Sequence, residues 1–342
     1  MIDWWLILDK VILIVVIFVV SLAIAAYSTY GERKIAAVIQ DRIGPDRAGP
    51  WGILQPLADG GKFFLKEDIT PKDADKFLFI LGPSLFILTA LMTSAIIPWG
   101  KSFYFGDHEF SLQVANLNVG ILYLLAVVSI GGYGIMIGGW ASNNKFALLG
   151  ALRASSQMIS YEVPMGMAII SIILMSNSLN LREIVDMQQG FHWNVFYQPL
   201  GFLIFLICAF AECNRAPFDL PESESELIGG YHTEYSSMKL GFFLFAEYIN
   251  MFISSAIISC LFFGGYHFPG LDSLNMSPNI AAIVSICVLF GKIFFFIFFF
   301  MWVRWTLPRF RYDQLMRLGW KVLIPLSIFN VLATGAWLTF VK

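Results

Sequence analysis

Residues 11–30 read VILIVVIFVVSLAIAAYSTY, a run without a single charge. At about 1.5 Å per helical residue such a run covers ~30 Å, the thickness of a bilayer's hydrocarbon core. Comparable runs recur to the far end of the chain and predict eight spans, at about 11–31, 77–98, 118–140, 154–176, 197–213, 239–263, 280–303 and 321–341. The composition agrees: 58% of the 342 residues are hydrophobic and 13% charged, about half the charged share of a soluble domain. The expected fold class is all-α, a polytopic membrane protein forming one integral membrane domain over 1–342. Residues 1–10 lack a basic n-region and no small-residue cleavage site follows, so the first run is expected to stay as a helix. A formal charge of -2 gives no electrostatic footprint for nucleic acid.

Basic residues are unevenly spread over this layout. The connections near 32–76, 141–153, 214–238 and 304–320 collect most of them, whereas the opposite side holds Lys10, Lys101, Arg182 and Lys342. The positive-inside rule assigns the rich side to the cytoplasm and both termini to the outside. No two histidines face each other within the spans, so a b-type haem has no ligands, and no cofactor motif is present. The chain is expected to have no redox centre, metal site or catalytic residue of its own. Cys208, Cys213, Cys260 and Cys287 form no CxxC pair and lie in or beside apolar runs, which predicts buried packing. Gly134-Ile135-Met136-Ile137-Gly138 is a GxxxG packing motif; no strand precedes it, so it is not a dinucleotide fingerprint. The run Phe294–Phe300 reads as lipid-facing or helix-packing bulk.

Two of the basic-side loops are unusual. In the first, Trp51, Ile53, Leu54 and Leu57, then Phe63, Phe64 and Leu65, sit beside Lys62 and Lys66. That mixture suits a short helix lying in the membrane interface, and equally an ordinary amphipathic connector. The second, 214–238, is acidic, carrying Glu222, Glu224, Glu226 and Glu234 where basic residues are the rule. Asp219-Leu220-Pro221-Glu222 has the form of a helix start, with Asp at the cap, Pro in the first turn and Glu three residues on. Capping does not require the other glutamates, which add repulsion.

Three more carboxylates lie inside apolar runs: Glu162, Glu212 and Glu247. A carboxylate at the centre of a membrane helix costs ~2.5–3.5 kcal/mol on insertion scales, so each is either a neutral packing group or a functional one. All three fall in the basic-side half of their spans and extend the acidic loop inward. Two carboxylates close together in low dielectric do not readily both ionise, and groups so placed exchange protons near neutral pH. Pro164 and Gly166 follow Glu162 and thin its helix where water or a side chain can enter. Lys292, a cation within a span, is a candidate partner for one of them or a snorkelling group.

Several segments together resemble the NADH dehydrogenase subunit 1 family, the H-type membrane subunits of respiratory NADH-quinone oxidoreductase (complex I). They are Gly31-Glu32-Arg33-Lys34, DRIGPDRAGPWGILQPLADGGKFFLKE at 41–67, ISYEVPMG at 159–166, AECNRAPFDLPESESELIGGYHTEYSSM at 211–238, FAEY at 245–248 and WVRWTLPRFRYDQLM at 302–316. The resemblance covers nearly the whole chain, and NRAPFDLPE and RWTLPRFRYDQL are its most specific parts. It implies an eight-helix protein at the junction of membrane and hydrophilic arms, lining the quinone chamber and coupling quinone reduction to proton translocation. It further implies that Glu32, Arg33, Asp59, Lys62, Arg215, Asp219, Glu222, Glu224, Glu226 and Glu234 surround the chamber. Glu162, Glu212 and Glu247 would then form the proton path, and Arg309 and Arg311 the arm junction. Quinone is the implied substrate; NADH, flavin and iron-sulfur clusters would reside on partner subunits of the hydrophilic and membrane arms, with the chain in a bacterial inner membrane. Cys213, Asp46 and Ser237 depart from the threonine, asparagine and glycine usual at these places, which puts only local quinone contacts in question. Two other functions compete: the equivalent membrane anchor of a membrane-bound hydrogenase or related dehydrogenase, and a stand-alone ion transporter. No repeated pair of broken helices supports the last.

Overall fold

The computed structural model describes residues 4–106, 108–221, 224–270 and 276–341. Its principal helices are α1 (Trp4–Ile39), α2 (Gln55–Leu65), α3 (Lys76–Thr93), α4 (Gly120–Ala141), α5 (Lys145–Ser176), α6 (Pro199–Glu212), α7 (Ser237–Phe262), α8 (Pro278–Thr306), α9 (Tyr312–Leu318) and α10 (Ile324–Val341). A π-helical turn, Gly319–Leu323, joins α9 to α10 into one long rod. An antiparallel hairpin, β1 (Phe103–Phe105) and β2 (His108–Phe110), lies between α3 and α4, with Tyr104 opposite Glu109. The chain is thus an all-α polytopic membrane protein carrying one small hairpin that the sequence reading did not anticipate.

Among the described residues, seven helical stretches are long and apolar enough to cross a membrane. The eighth expected span, 197–213, is α6, and with 14 residues it covers only about 21 Å. Its shortness has a cause at each end. At the start, buried Gln198 donates to Thr334 Oγ1 at 2.7 Å and accepts from Asn330 at 3.0 Å, so the helix begins inside the bundle. At the finish the chain turns into buried Asn214 and Arg215. Conversely α5 starts at Lys145 rather than near 154, because the Asn144 side chain caps it by accepting from the Phe146 amide at 2.9 Å.

Glycine closes the bundle where α3 meets α4. A Cβ on Gly82 would lie 2.7 Å from the Gly138 Cα, and one on Gly134 would lie 3.0 Å from the Gly82 carbonyl oxygen. The GxxxG motif therefore serves backbone-to-backbone packing, as its spacing predicts. The phenylalanine run divides by helical face: Phe296 and Phe300 are buried, while Phe294, Phe295 and Phe298 are exposed. Cys208, Cys213 and Cys260 are buried and Cys287 is exposed, so the fourth cysteine departs from the expected core position.

Lys292 pairs with no buried glutamate in the way anticipated. Its ammonium donates to the carbonyl oxygens of Phe263, Gly265 and His267 at 2.6, 2.7 and 2.6 Å. Those carbonyls follow the C-terminus of α7, remote from Glu247, which is nearer that helix's start. A helix C-terminus presents unsatisfied carbonyls and partial negative charge, which a cation stabilises.

Candidate functional site

The end of the bundle that bears the basic loops is where the candidate residues meet. The helix α2 lies there as an 11-residue segment. It is tied to the core by Ser237 Oγ donating to the Phe63 carbonyl at 2.9 Å, while Leu57, Phe64 and Leu65 stay exposed. Asp59 on α2 receives Arg33 Nη1 from α1 at 2.8 Å, so this ion pair joins the two helices. Lys62 is exposed, its ammonium 5.6 Å from the Phe63 ring centroid.

Next to Arg33 on α1, Glu32 is buried and heavily partnered. Its Oε2 accepts from Arg215 Nη1 at 3.2 Å and from the Tyr248 hydroxyl at 2.8 Å, and its Oε1 accepts from Arg304. The Arg215 guanidinium also stacks over the Tyr248 ring, 4.0 Å from its centroid. Four elements thus converge on one carboxylate: α1, the loop after α6, α7 and the last turn of α8. Burial works against the charge on Arg215, but Tyr248, Glu32 and Glu247 outweigh it and hold its pKa well above the ordinary guanidinium value. Arg215 keeps its Nε and Nη2 without a hydrogen-bond partner among the described residues. Two guanidiniums around one carboxylate leave local positive charge, which suits an incoming acceptor such as a carbonyl oxygen or an anion.

Beside this cluster, an apolar groove of about 430 Å³ runs between α1 and α8. Gly31, next to Glu32, and Met301, one turn before Arg304, mark its inner end; Ala23, Ile24 and Phe294 line its far end. The groove is open along its side.

Asp219 of the acidic loop accepts from Arg309 Nη2 at 2.7 Å, and a single helical turn, Glu224–Leu227, follows; the expected cap geometry at 219–222 falls partly outside the described residues. Glu222 lies outside the described residues, as does the side chain of Glu224. Glu226 is exposed and pairs with Arg153 at 2.6 Å, and Glu234 accepts from Asn144 at 2.6 Å, which ties the loop to the start of α5. Arg311 is exposed and turned onto its own neighbour Asp313 at 3.2 Å.

The three carboxylates within helices lie deeper. Glu162 on α5 accepts from Ser129 Oγ of α4 at 2.9 Å. Glu212, the last residue of α6, is buried within electrostatic reach of Glu162, and its Oε2 has no hydrogen-bond partner among the described residues. Glu247 on α7 accepts from the Tyr231 hydroxyl at 3.1 Å and lies within electrostatic reach of Arg215. Glu162 and Glu247 therefore each have a hydroxyl partner.

The model of the NADH dehydrogenase family matches residues 11–335. The NADH-quinone oxidoreductase H-type chain 1 of Cytophaga hutchinsonii is 62% identical, over 96% of this chain and 96% of its own length. The chain belongs to the family of H-type subunits of NADH-quinone oxidoreductase. The corresponding protein of Flavobacterium johnsoniae is 60% identical over 96% of this chain and 95% of its own length, and H-type chain 1 of Geobacter metallireducens is 49% identical over 96% of each. In this family member, sequence reasoning passed over Tyr248, Arg304, Tyr231 and Ser129. Tyr248 was within reach, since it directly follows Glu247 in the FAEY segment. Arg304 was counted as one of the basic loop residues, although it belongs to the last turn of α8 and reaches Glu32.

Proposed function

We propose that this chain is the membrane component of proton-pumping NADH:quinone oxidoreductase that lines the quinone chamber and couples quinone reduction to proton translocation. The observation that carries the reading is the Glu32–Arg215–Arg304–Tyr248 cluster, whose Glu32 and Arg304 lie close in sequence to Gly31 and Met301 of the α1/α8 groove. A long-tailed quinone needs an apolar slot for its tail and fixed hydrogen-bond donors for a head group that gains charge on reduction. Arg33, Asp59, Lys62, Asp219, Glu226 and Glu234 border the chamber in this reading, together with Glu222 and Glu224. Electrons arrive from partner subunits that carry flavin and iron-sulfur clusters and oxidise NADH.

Charge appearing at the head group is felt first by Glu32 and Arg215, then by Glu247, which shares the electrostatic neighbourhood of Arg215. Glu212 and Glu162 extend the path into the membrane arm. The chain lies in a bacterial inner membrane with its basic loops in the cytoplasm and both termini outside, and the face bearing Arg309 and Arg311 meets the hydrophilic arm.

A photoreactive quinone added to the intact complex tests the chamber. Labelling within 41–67 or 211–238 is the expected outcome; labelling confined to the loops at the opposite end overturns the assignment.

A further inference from the structure

A small enclosed cavity in the middle of the bundle, away from the Glu32 cluster, lies against Thr89, Thr93, Gly131, Glu212, Asn250 and Ser254. About 20 Å³ of it is open to the centre of a water molecule. A buried water needs ~10–15 Å³ on that measure and two to four polar partners. The wall supplies them. Glu212 is 7% exposed, and its Oε2 lacks a hydrogen-bond partner among the described residues. Asn250 is half-buried, and its carboxamide makes no hydrogen bond with a described residue. An amide on a membrane helix gains from a polar partner in the bundle.

The remaining polar atoms have a consistent polarity. Thr89 donates its hydroxyl proton to the Phe86 carbonyl at 3.0 Å, Thr93 donates to the Thr89 carbonyl at 2.8 Å, and Ser254 Oγ accepts from Cys213 Sγ at 3.4 Å. Both threonine oxygens therefore keep lone pairs for an incoming donor. Water is both donor and acceptor, and fits between these oxygens, the carboxyl of Glu212 and the amide N–H of Asn250. On α7, Asn250 follows Glu247 by three positions and Ser254 follows by four more, so the three share one helix face.

We infer that this cavity holds ordered water between Glu212 and Asn250, and that Asn250 is a water-positioning residue on the face of α7 that also bears Glu247. The inference rests on the buried-carboxylate relay proposed above and adds a carrier beside one of its members, Glu212. Glu212 and Glu247 leave α6 and α7 toward different partners, and a bound water oriented by the carboxamide gives a proton at Glu212 its next acceptor. Gly131 keeps the chamber open: a Cβ there would come within 3.1 Å of Thr89 Oγ1.

The test uses the intact complex with Asn250→Leu, which removes the amide at similar bulk, and Asn250→Ser, which leaves a hydroxyl and more room. Proton-coupled quinone reduction should fall on the order of tenfold in Asn250→Leu and stay within about twofold of wild type in Asn250→Ser, since misplaced proton carriers cost rate while polar replacements keep them. The infrared carboxyl band assigned through Glu212→Gln should shift in Asn250→Leu. Equal losses in both variants, or an unmoved band, assign Asn250 to packing and overturn the inference. A high-resolution map of the wild-type complex checks it without any substitution: density within hydrogen-bond reach of Glu212 Oε2 and Asn250 supports it, and a dry cavity overturns it. Impaired Glu212→Gln beside normal Asn250→Leu removes the water-positioning role and leaves the relay standing. Normal turnover in both Glu212→Gln and Glu247→Gln removes the relay itself.

Discussion

Glu32 and Glu247 are buried and Glu162 is half-buried, yet the first is held differently from the other two. Glu32 is clamped by two guanidiniums and a phenol. Glu162 accepts from a seryl hydroxyl, and Glu247 accepts from a phenol with Arg215 within electrostatic reach. The first arrangement ties one carboxylate to four elements with two direct ion pairs; the second joins helix carboxylates to hydroxyls of neighbouring segments. Buried ion pairs are weak contributors to net stability, but breaking one by removing a partner is costly. In the function proposed above, structural fixity and proton exchange fall to different carboxylates within one bundle.

Substitutions that exchange the two behaviours break or sharpen this contrast. Arg215→Leu leaves Glu32 short of a buried partner and should cost about 3–5 kcal/mol. The readout is loss of assembled complex in membranes; normal assembly and an unchanged thermal midpoint would show that Arg304 alone suffices. Glu247→Gln and Glu162→Gln keep the shape and a hydrogen-bonding group, so the complex should assemble while coupled turnover drops about a hundredfold, the scale of a lost general acid or base. Wild-type coupled turnover in both variants would make them packing groups. Gly82→Ala drives a methyl into the Gly138 backbone and should destabilise the α3/α4 contact by about 1–3 kcal/mol, read as a lower thermal midpoint. Tyr248→Phe removes one neutral donor from Glu32 and should cost only about 0.5–1.5 kcal/mol with quinone reduction largely retained. At the bottom of the series, Arg153→Ala opens a half-exposed pair with Glu226 and should change stability by less than about 1 kcal/mol.

Much of this was legible in the chain. Uncharged runs such as 11–30 give the spans because a bilayer accepts nothing else of that length. The glycine spacing at Gly134 and Gly138 likewise announces a close helix contact. What sequence could not supply was pairing across distance. Arg304 and Glu32 are far apart in the chain, and only the convergence of α1 and α8 brings them together. Arg309 pairs with Asp219 from ninety positions away, a contact that the local motif at 219–222 does not contain. The short α6 was equally hidden, since Gln198 looks like a loop residue until Asn330 and Thr334 enclose it.

Lys292 spends all three ammonium protons on three main-chain oxygens, as a tripod stands on three feet. A planar guanidinium cannot reproduce that tetrahedral grip, and a methionine of similar length would leave the oxygens bare in a greasy setting. The segment leaving α7 is accordingly fastened to α8 by Lys292 as well as by the Phe263–Phe296 ring contact, and to Asp186 through Tyr266 and His267.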